Sequence, residues 1–96
     1  MMLGNKLKQL RETNGFVQRE VAALLKVDTA FISKTEKGEK FLHEIHLKPL
    51  AKFYNISESE IKSIWLADKI LKLLNNVKES SEALRIVENQ IKNYHD

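Results

Sequence analysis

The sequence predicts an all-α fold, and three observations carry the prediction. Helix breakers are scarce: Gly4, Gly15, Gly38 and Pro49 are the full set in 96 residues. Leu, Lys, Glu and Ala, which give up little side-chain freedom in a helix, are plentiful. Apolar residues recur three and four apart along most of the chain, which is the spacing of a helix face rather than a strand. The length is that of one domain, with little room for a second independent core.

The elements follow in order. Leu3, Leu7 and Leu10 mark the buried stripe of a first helix over about residues 4–14, and Gly15 ends it by supplying a left-handed residue. A second helix starts near Val17 or Gln18, buries Val21, Ala22, Leu24 and Leu25, and stops there. After Lys26 and Val27, Asp28 is placed to cap a third helix over residues 29–37, which buries Ile32 and is closed by Gly38. Residues 39–45 read as a loop. Pro49 suits the first turn of a fourth helix carrying Leu50, Ala51, Phe53 and Tyr54, with Asn55 as its stop. Ser57 and Glu60 have the spacing of a capping box, which opens a long helix from Glu58 to Asn75 or Asn76. A last helix follows Ser80 and Ser81 and carries Leu84, Val87, Ile91 and Tyr94. The chain thus divides into residues 1–57 and residues 58–96.

Charge is distributed unevenly between these parts. Residues 1–48 hold nine Lys and Arg against six acids, and residues 49–96 hold seven against seven, so the whole net charge of +3 lies in the first half. A polyanion would bind there. No cysteine is present, which excludes a disulfide framework and a thiolate zinc site. His43 and His46 stand three apart with no third ligand nearby, so no metal is expected. No nucleophile–base arrangement and no phosphate-cradling glycine loop is visible, so neither an enzyme nor a cofactor is expected. The first residues lack the apolar stretch of a secretory signal, and no run approaches the roughly 20 apolar residues that cross a bilayer. The expectation is a cytoplasmic protein.

Two short helices three residues apart, the second closed by glycine, give the outline of a helix-turn-helix. The stretch from Gln18 to Gly38, Gln-Arg-Glu-Val-Ala-Ala-Leu-Leu-Lys-Val-Asp-Thr-Ala-Phe-Ile-Ser-Lys-Thr-Glu-Lys-Gly, resembles the Xre/Cro/C1 family of regulators, which includes phage repressors and restriction–modification controllers. The resemblance spans roughly residues 5–57. It implies a five-helix, lambda-repressor-like DNA-binding domain, here with a C-terminal helical extension. Ala22 occupies the point where the two motif helices cross closely, and Val21, Leu25, Val27 and Ile32 fill the small core between them. The sequence departs from the family pattern at Lys26, where glycine is usual, at Val17 in place of a capping Ser or Thr, at Thr35 in place of an apolar residue, and in a loop without Asn-Pro.

The resemblance also assigns roles. Asp28, Thr29, Ala30, Ser33 and Lys34 would face the major groove, where Lys34 suits guanine O6 and N7 and Ala30 a thymine methyl. Asp28 suits a cytosine amino group or serves as the helix cap alone. Gln18, Arg19, Lys37 and Lys40 would hold phosphates, which gives affinity without sequence information. Arg11 and Glu36 match the family's partly buried ion pair. The partner so implied is double-stranded DNA, and the protein would associate with the nucleoid.

The long helix from Glu58 is apolar on two sides: Ile61, Ile64, Trp65 and Leu71 form one stripe, interrupted by Asp68, and Leu66, Ile70, Leu73 and Val77 form another. A helix apolar on two sides has to bury both. One side suits the helix-turn-helix core, and the other suits a second subunit together with the last helix. The expected homodimer interface comprises Trp65, Ile70, Leu73, Leu84, Val87, Ile91 and Tyr94, and it would serve a repressor of transcription reading an inverted repeat. Two alternatives use the same sequence: an antitoxin whose C-terminal helices bind a toxin, and a protein-interaction adaptor that does not contact DNA.

Overall fold

A computed structural model describes residues 1–95, with six α-helices, one 3-10 turn and no strand among them. The helices are α1 (Met2–Thr13), α2 (Gln18–Leu25), α3 (Thr29–Glu36), α4 (Leu47–Tyr54), α5 (Glu58–Leu74) and α6 (Ser80–His95), and the 3-10 turn (Glu44–His46) leads directly into α4. The all-α class is as the sequence predicts, and the loop expected over residues 39–45 is partly structured. Pro49 sits in the first turn of α4, where its missing N–H costs nothing. Asn55 ends that helix in the left-handed conformation at φ 54°, and the Ser57 hydroxyl accepts the Glu60 N–H to open α5. Among the described residues, no helix is long and apolar enough to cross a membrane.

One core holds α1 to α5 together. It is built from Leu3 and Leu7 of α1, Val21, Ala22 and Leu25 of α2, Ile32 of α3, Leu42 of the loop, four residues of α4, and Ile61 and Trp65 of α5. Leu24, expected in the buried stripe of α2, lies at the surface instead. Leu47, Leu50 and Ile61 are the most completely enclosed side chains, each adding roughly 1.5–3 kcal/mol by removal from water.

Two expectations for α5 need correction. Trp65, expected at a dimer interface, is only 6% exposed and belongs to the chain's own core. Its indole N–H donates to Leu42 O at 2.8 Å, which ties the loop after α3 to α5. The division at residue 57 likewise falls too early, because α5 enters the core through Ile61 and Trp65 and leaves it only after Asp68. From Lys69 onward the side chains of α5 are exposed except for Leu74, and α6 has no buried residue among those described. The molecule is therefore a head, ending near residue 68, and an arm made of the end of α5 and α6.

Helix α1 begins two residues before its apolar spacing suggested. Its first backbone N–H groups have no partner within the helix, and the buried carboxylate of Asp68 accepts two of them, Met2 N–H and Leu3 N–H, each at 2.9 Å.

Candidate nucleic-acid interface

The second helix of the motif, α3, is positioned at both ends by its own sequence. Lys26 takes the left-handed conformation at φ 59° and ψ 45° that turns the chain out of α2, at a cost of roughly 1–2 kcal/mol for a side chain where glycine would be free. Asp28 then caps α3, its carboxylate accepting the Phe31 N–H at 2.8 Å. At the start of α2, Val17 has no side-chain acceptor to offer, and Glu20 compensates by reaching back to accept the Val17 N–H at 2.9 Å. Ile32, Thr35 and Glu36 of α3 face inward, with the Thr35 hydroxyl satisfied by Ile32 O at 2.9 Å. This answers how a polar residue fills a position that is commonly apolar.

Glu36 anchors the far end. Its carboxylate takes a two-pronged contact from Arg11, with Nε at 2.7 Å and Nη2 at 3.1 Å, and accepts the Gln18 side-chain amide at 3.0 Å. Arg11 spends a further N–H on Phe16 O at 2.9 Å. One carboxylate thereby binds α1, α2 and α3 to each other. Its hydrogen bonds hold the Arg11 guanidinium more firmly charged than usual, against the pull of burial. Burial, helped by the negative charge of Glu36, pushes the nearby Tyr54 phenol up to about 12. Because desolvation offsets much of the attraction, such a pair orients α3 more than it stabilises the fold.

The opposite side of α3 is left open. Thr29, Ala30, Lys34 and Lys37 are exposed and Ser33 is half-buried, so positions i, i+1, i+4, i+5 and i+8 form one outward stripe. Lys34 and Lys37 of the stripe and Arg19, Lys26 and Lys40 on the adjoining segments are exposed, and none of them has a carboxylate partner among the described residues. Glu20 and Asp28 are engaged with backbone N–H groups, and Glu39 is an exposed acid between Lys37 and Lys40. The result is a convex helix with small polar residues at its centre and cations at its edges. That is the shape and charge that enter a major groove.

A family model described as a helix-turn-helix domain matches residues 2–63. The chain belongs to the helix-turn-helix family. Among solved structures it is similar to the restriction-modification controller protein C.AhdI from Aeromonas hydrophila, at a TM-score of 0.55 and 25% identity, over 62% of this chain and 89% of that one. Among curated proteins, none matches. This helix-turn-helix protein is a DNA-binding transcriptional regulator of the Xre-like type.

Most residues singled out from the sequence of this helix-turn-helix protein gather on or behind the same surface. Arg11 and Glu36 pair behind it. Gln18 braces Glu36 through one amide N–H and keeps a second donor free. Arg19 on α2 and Lys37 and Lys40 at and after the end of α3 are all exposed. Ile70, Leu73, Leu84, Val87, Ile91 and Tyr94 lie away from it on the arm, all exposed. His43 and His46 stand over Phe31, with ring centroids 6.2 and 5.6 Å away. Burial, then the charge of His43, holds the His46 imidazole below its usual range, and its Nδ1 accepts the His43 N–H at 3.2 Å.

Two positioning residues escaped the sequence reading. Gly4 lies against the end of α3, where a Cβ would overlap Thr35 O and stand 2.8 Å from Glu36 O. Nothing in a lone glycine near the chain start signals such a contact. Asp68 was visible as the polar interruption of an apolar stripe, which is the trace a buried carboxylate leaves.

Proposed function

We propose that this regulator binds an inverted-repeat operator as a homodimer and represses transcription. The observation that carries the reading is the outward stripe of α3, with Thr29, Ala30, Ser33 and Lys34 free while every inward side chain of that helix is engaged. In this reading these four residues meet base edges. Asp28 does so only through the carboxylate oxygen its capping bond leaves free. Gln18, Arg19, Lys37 and Lys40 hold the backbone on either side.

The arm supports the second half of the reading. Leu84, Val87, Ile91 and Tyr94 follow each other at spacings of three, four and three, the seam of a coiled coil, and all four are exposed. Leu66, Ile70, Leu73 and Val77 repeat the pattern on the outer side of α5 and of the turn after it. A second copy offers the same two stripes across a two-fold axis and sets two recognition helices about 34 Å apart. Its nucleoid association and cytoplasmic location follow from the same reading. Similarity to a restriction-modification controller favours a regulator of neighbouring genes.

The test is selection of bound sequences from a random duplex pool, with the mass of the purified protein measured in parallel. The expected result is a dimer that enriches an inverted repeat, with affinity falling steeply as salt rises. Lys34→Ala then relaxes the preference at one base pair per half-site by roughly 1–3 kcal/mol. A folded protein that enriches nothing at low salt overturns the reading. A monomeric mass turns attention to a different protein, such as a toxin, covering the arm.

A further inference from the structure

Four residues of α5 are held to the head by hydrogen bonds or ion pairs of unequal kind, and Lys69 and Lys72 stand over the Phe41 ring besides. Lys6–Glu60 at 3.3 Å and Lys62–Glu44 at 2.9 Å are surface ion pairs, which contribute little in water. Trp65 to Leu42 O is buried. Asp68 is the last of the four along the helix, 3% exposed, and the only one whose partner is the end of another helix. Beyond it α5 runs six more residues to Leu74, about 9 Å of helix, with no buried side chain.

We infer that Asp68 is a positioning residue for DNA reading: it fixes the direction in which the arm leaves the head and so sets the distance between the two recognition helices of a dimer. The inference rests on the dimeric reading above. The chain of contacts is short. Asp68 accepts Met2 N–H and Leu3 N–H, and its charge faces the positive end of α1. The next residue, Gly4, packs directly on Thr35 O and Glu36 O at the end of α3, and Glu36 is the carboxylate that braces the recognition helix against Arg11 and Gln18. The arm and the recognition helix are thus fixed to the same end of α1. An apolar residue at 68 could fill the same space, but it would leave two N–H groups without acceptors and set no direction. A carboxylate accepting two parallel N–H groups at once tolerates little rotation of α5 about α1.

The experiment compares the full chain with Asp68→Asn on a panel of duplexes carrying two half-sites, whose separation is changed by one or two base pairs, and on a single half-site. Asparagine keeps the shape but removes the charge and turns an amide donor toward one of the two N–H groups. Wild type is expected to prefer one separation by about tenfold or more. Asp68→Asn is expected to keep its dimer mass and its single-half-site affinity while the preference shrinks to about twofold. If Asp68→Asn melts below the assay temperature, Asp68→Ser, which retains one short acceptor, is taken through the same panel with the same expectation. A folded, dimeric variant as selective for spacing as wild type overturns the inference alone. Wild type that is monomeric or indifferent to spacing overturns the dimeric reading, and this inference with it.

Discussion

The two ends of α5 belong to one helix with one kind of composition, yet they meet opposite environments. Ile61 is fully enclosed and Trp65 nearly so, whereas twelve residues after Ile61, Leu73 is 79% exposed. The first end lies over α1, α4 and the loop after α3, whereas the second meets its own chain only at its margins, where Lys72 stands 5.1 Å over the Phe41 ring and Leu74 is half-buried. Apolar spacing alone therefore marks surface that has to be covered and does not say what covers it. The boundary between the two ends is marked by a polar residue, Asp68, because that is where a helix end needs acceptors.

This contrast predicts two kinds of damage. The largest effect should come from the head: Glu36→Ala leaves the partly buried Arg11 guanidinium beside no counter-charge, and loss of one partner from a buried pair costs up to roughly 3–5 kcal/mol. In a chain of this size, denaturation with urea or heat should show a fall in Tm well beyond ten degrees or no folded state at all. A variant that melts like wild type would show that the triple contact at Glu36 contributes little to the fold.

The arm should respond differently. Replacing Leu84 and Ile91 together with glutamine removes apolar surface that its own chain leaves exposed, so the melting of the head should change by less than about 0.5 kcal/mol. Sedimentation should instead show the dimer replaced by monomer, with operator affinity reduced by at least tenfold, or about 1.4 kcal/mol. An unchanged sedimentation coefficient for that double variant would remove the arm from the interface. If the head loses stability as much as it does in Glu36→Ala, head and arm are one cooperative unit and the contrast fails.

The smallest effect concerns pH. His46 is held neutral by burial, with its Nδ1 used as an acceptor, so its folded pKa lies below the ordinary value. The native state then binds fewer protons than the unfolded chain across that interval. Stability from this group is complete above the ordinary histidine value of about 6.5 and declines as pH falls through it toward the folded value. Thermal melts at pH 7.5 and pH 5 should differ by a few degrees in wild type, and His46→Gln should remove that share of the difference. Phe31 packs on His46 from α3, so the same change should leave the arm-dependent sedimentation untouched.

Much of the fold was legible in the sequence because its signals are local. The caps at Asp28 and Ser57, the stops at Asn55 and Gly38, and the periodic stripes of α1, α2 and α4 each involve residues within one or two turns of each other. The outward set Thr29, Ala30, Ser33 and Lys34 came instead from the resemblance to a known family, and the structure leaves these side chains on the side of α3 opposite Ile32 and Glu36. What local spacing does not carry is the identity of a partner distant in sequence. Trp65 has the same apolar character as Ile70 five residues on, and only the position of Leu42 and its carbonyl makes one core and the other surface.

By itself, then, the sequence determined an all-α chain with a helix-turn-helix head, its caps, its basic half and, through the family resemblance, its outward helix face. The tertiary structure decided three further matters. It made Gly4 the seat of α3, because backbone carbonyls from residues 35 and 36 approach within the space of a methyl group. It made Asp68 the cap of α1, because helix ends leave unpaired donors and the fold sets a carboxylate 65 and 66 residues away against them. It also divided α5 between core and arm, because burial depends on which surfaces meet, and surfaces meet only once the whole chain has folded.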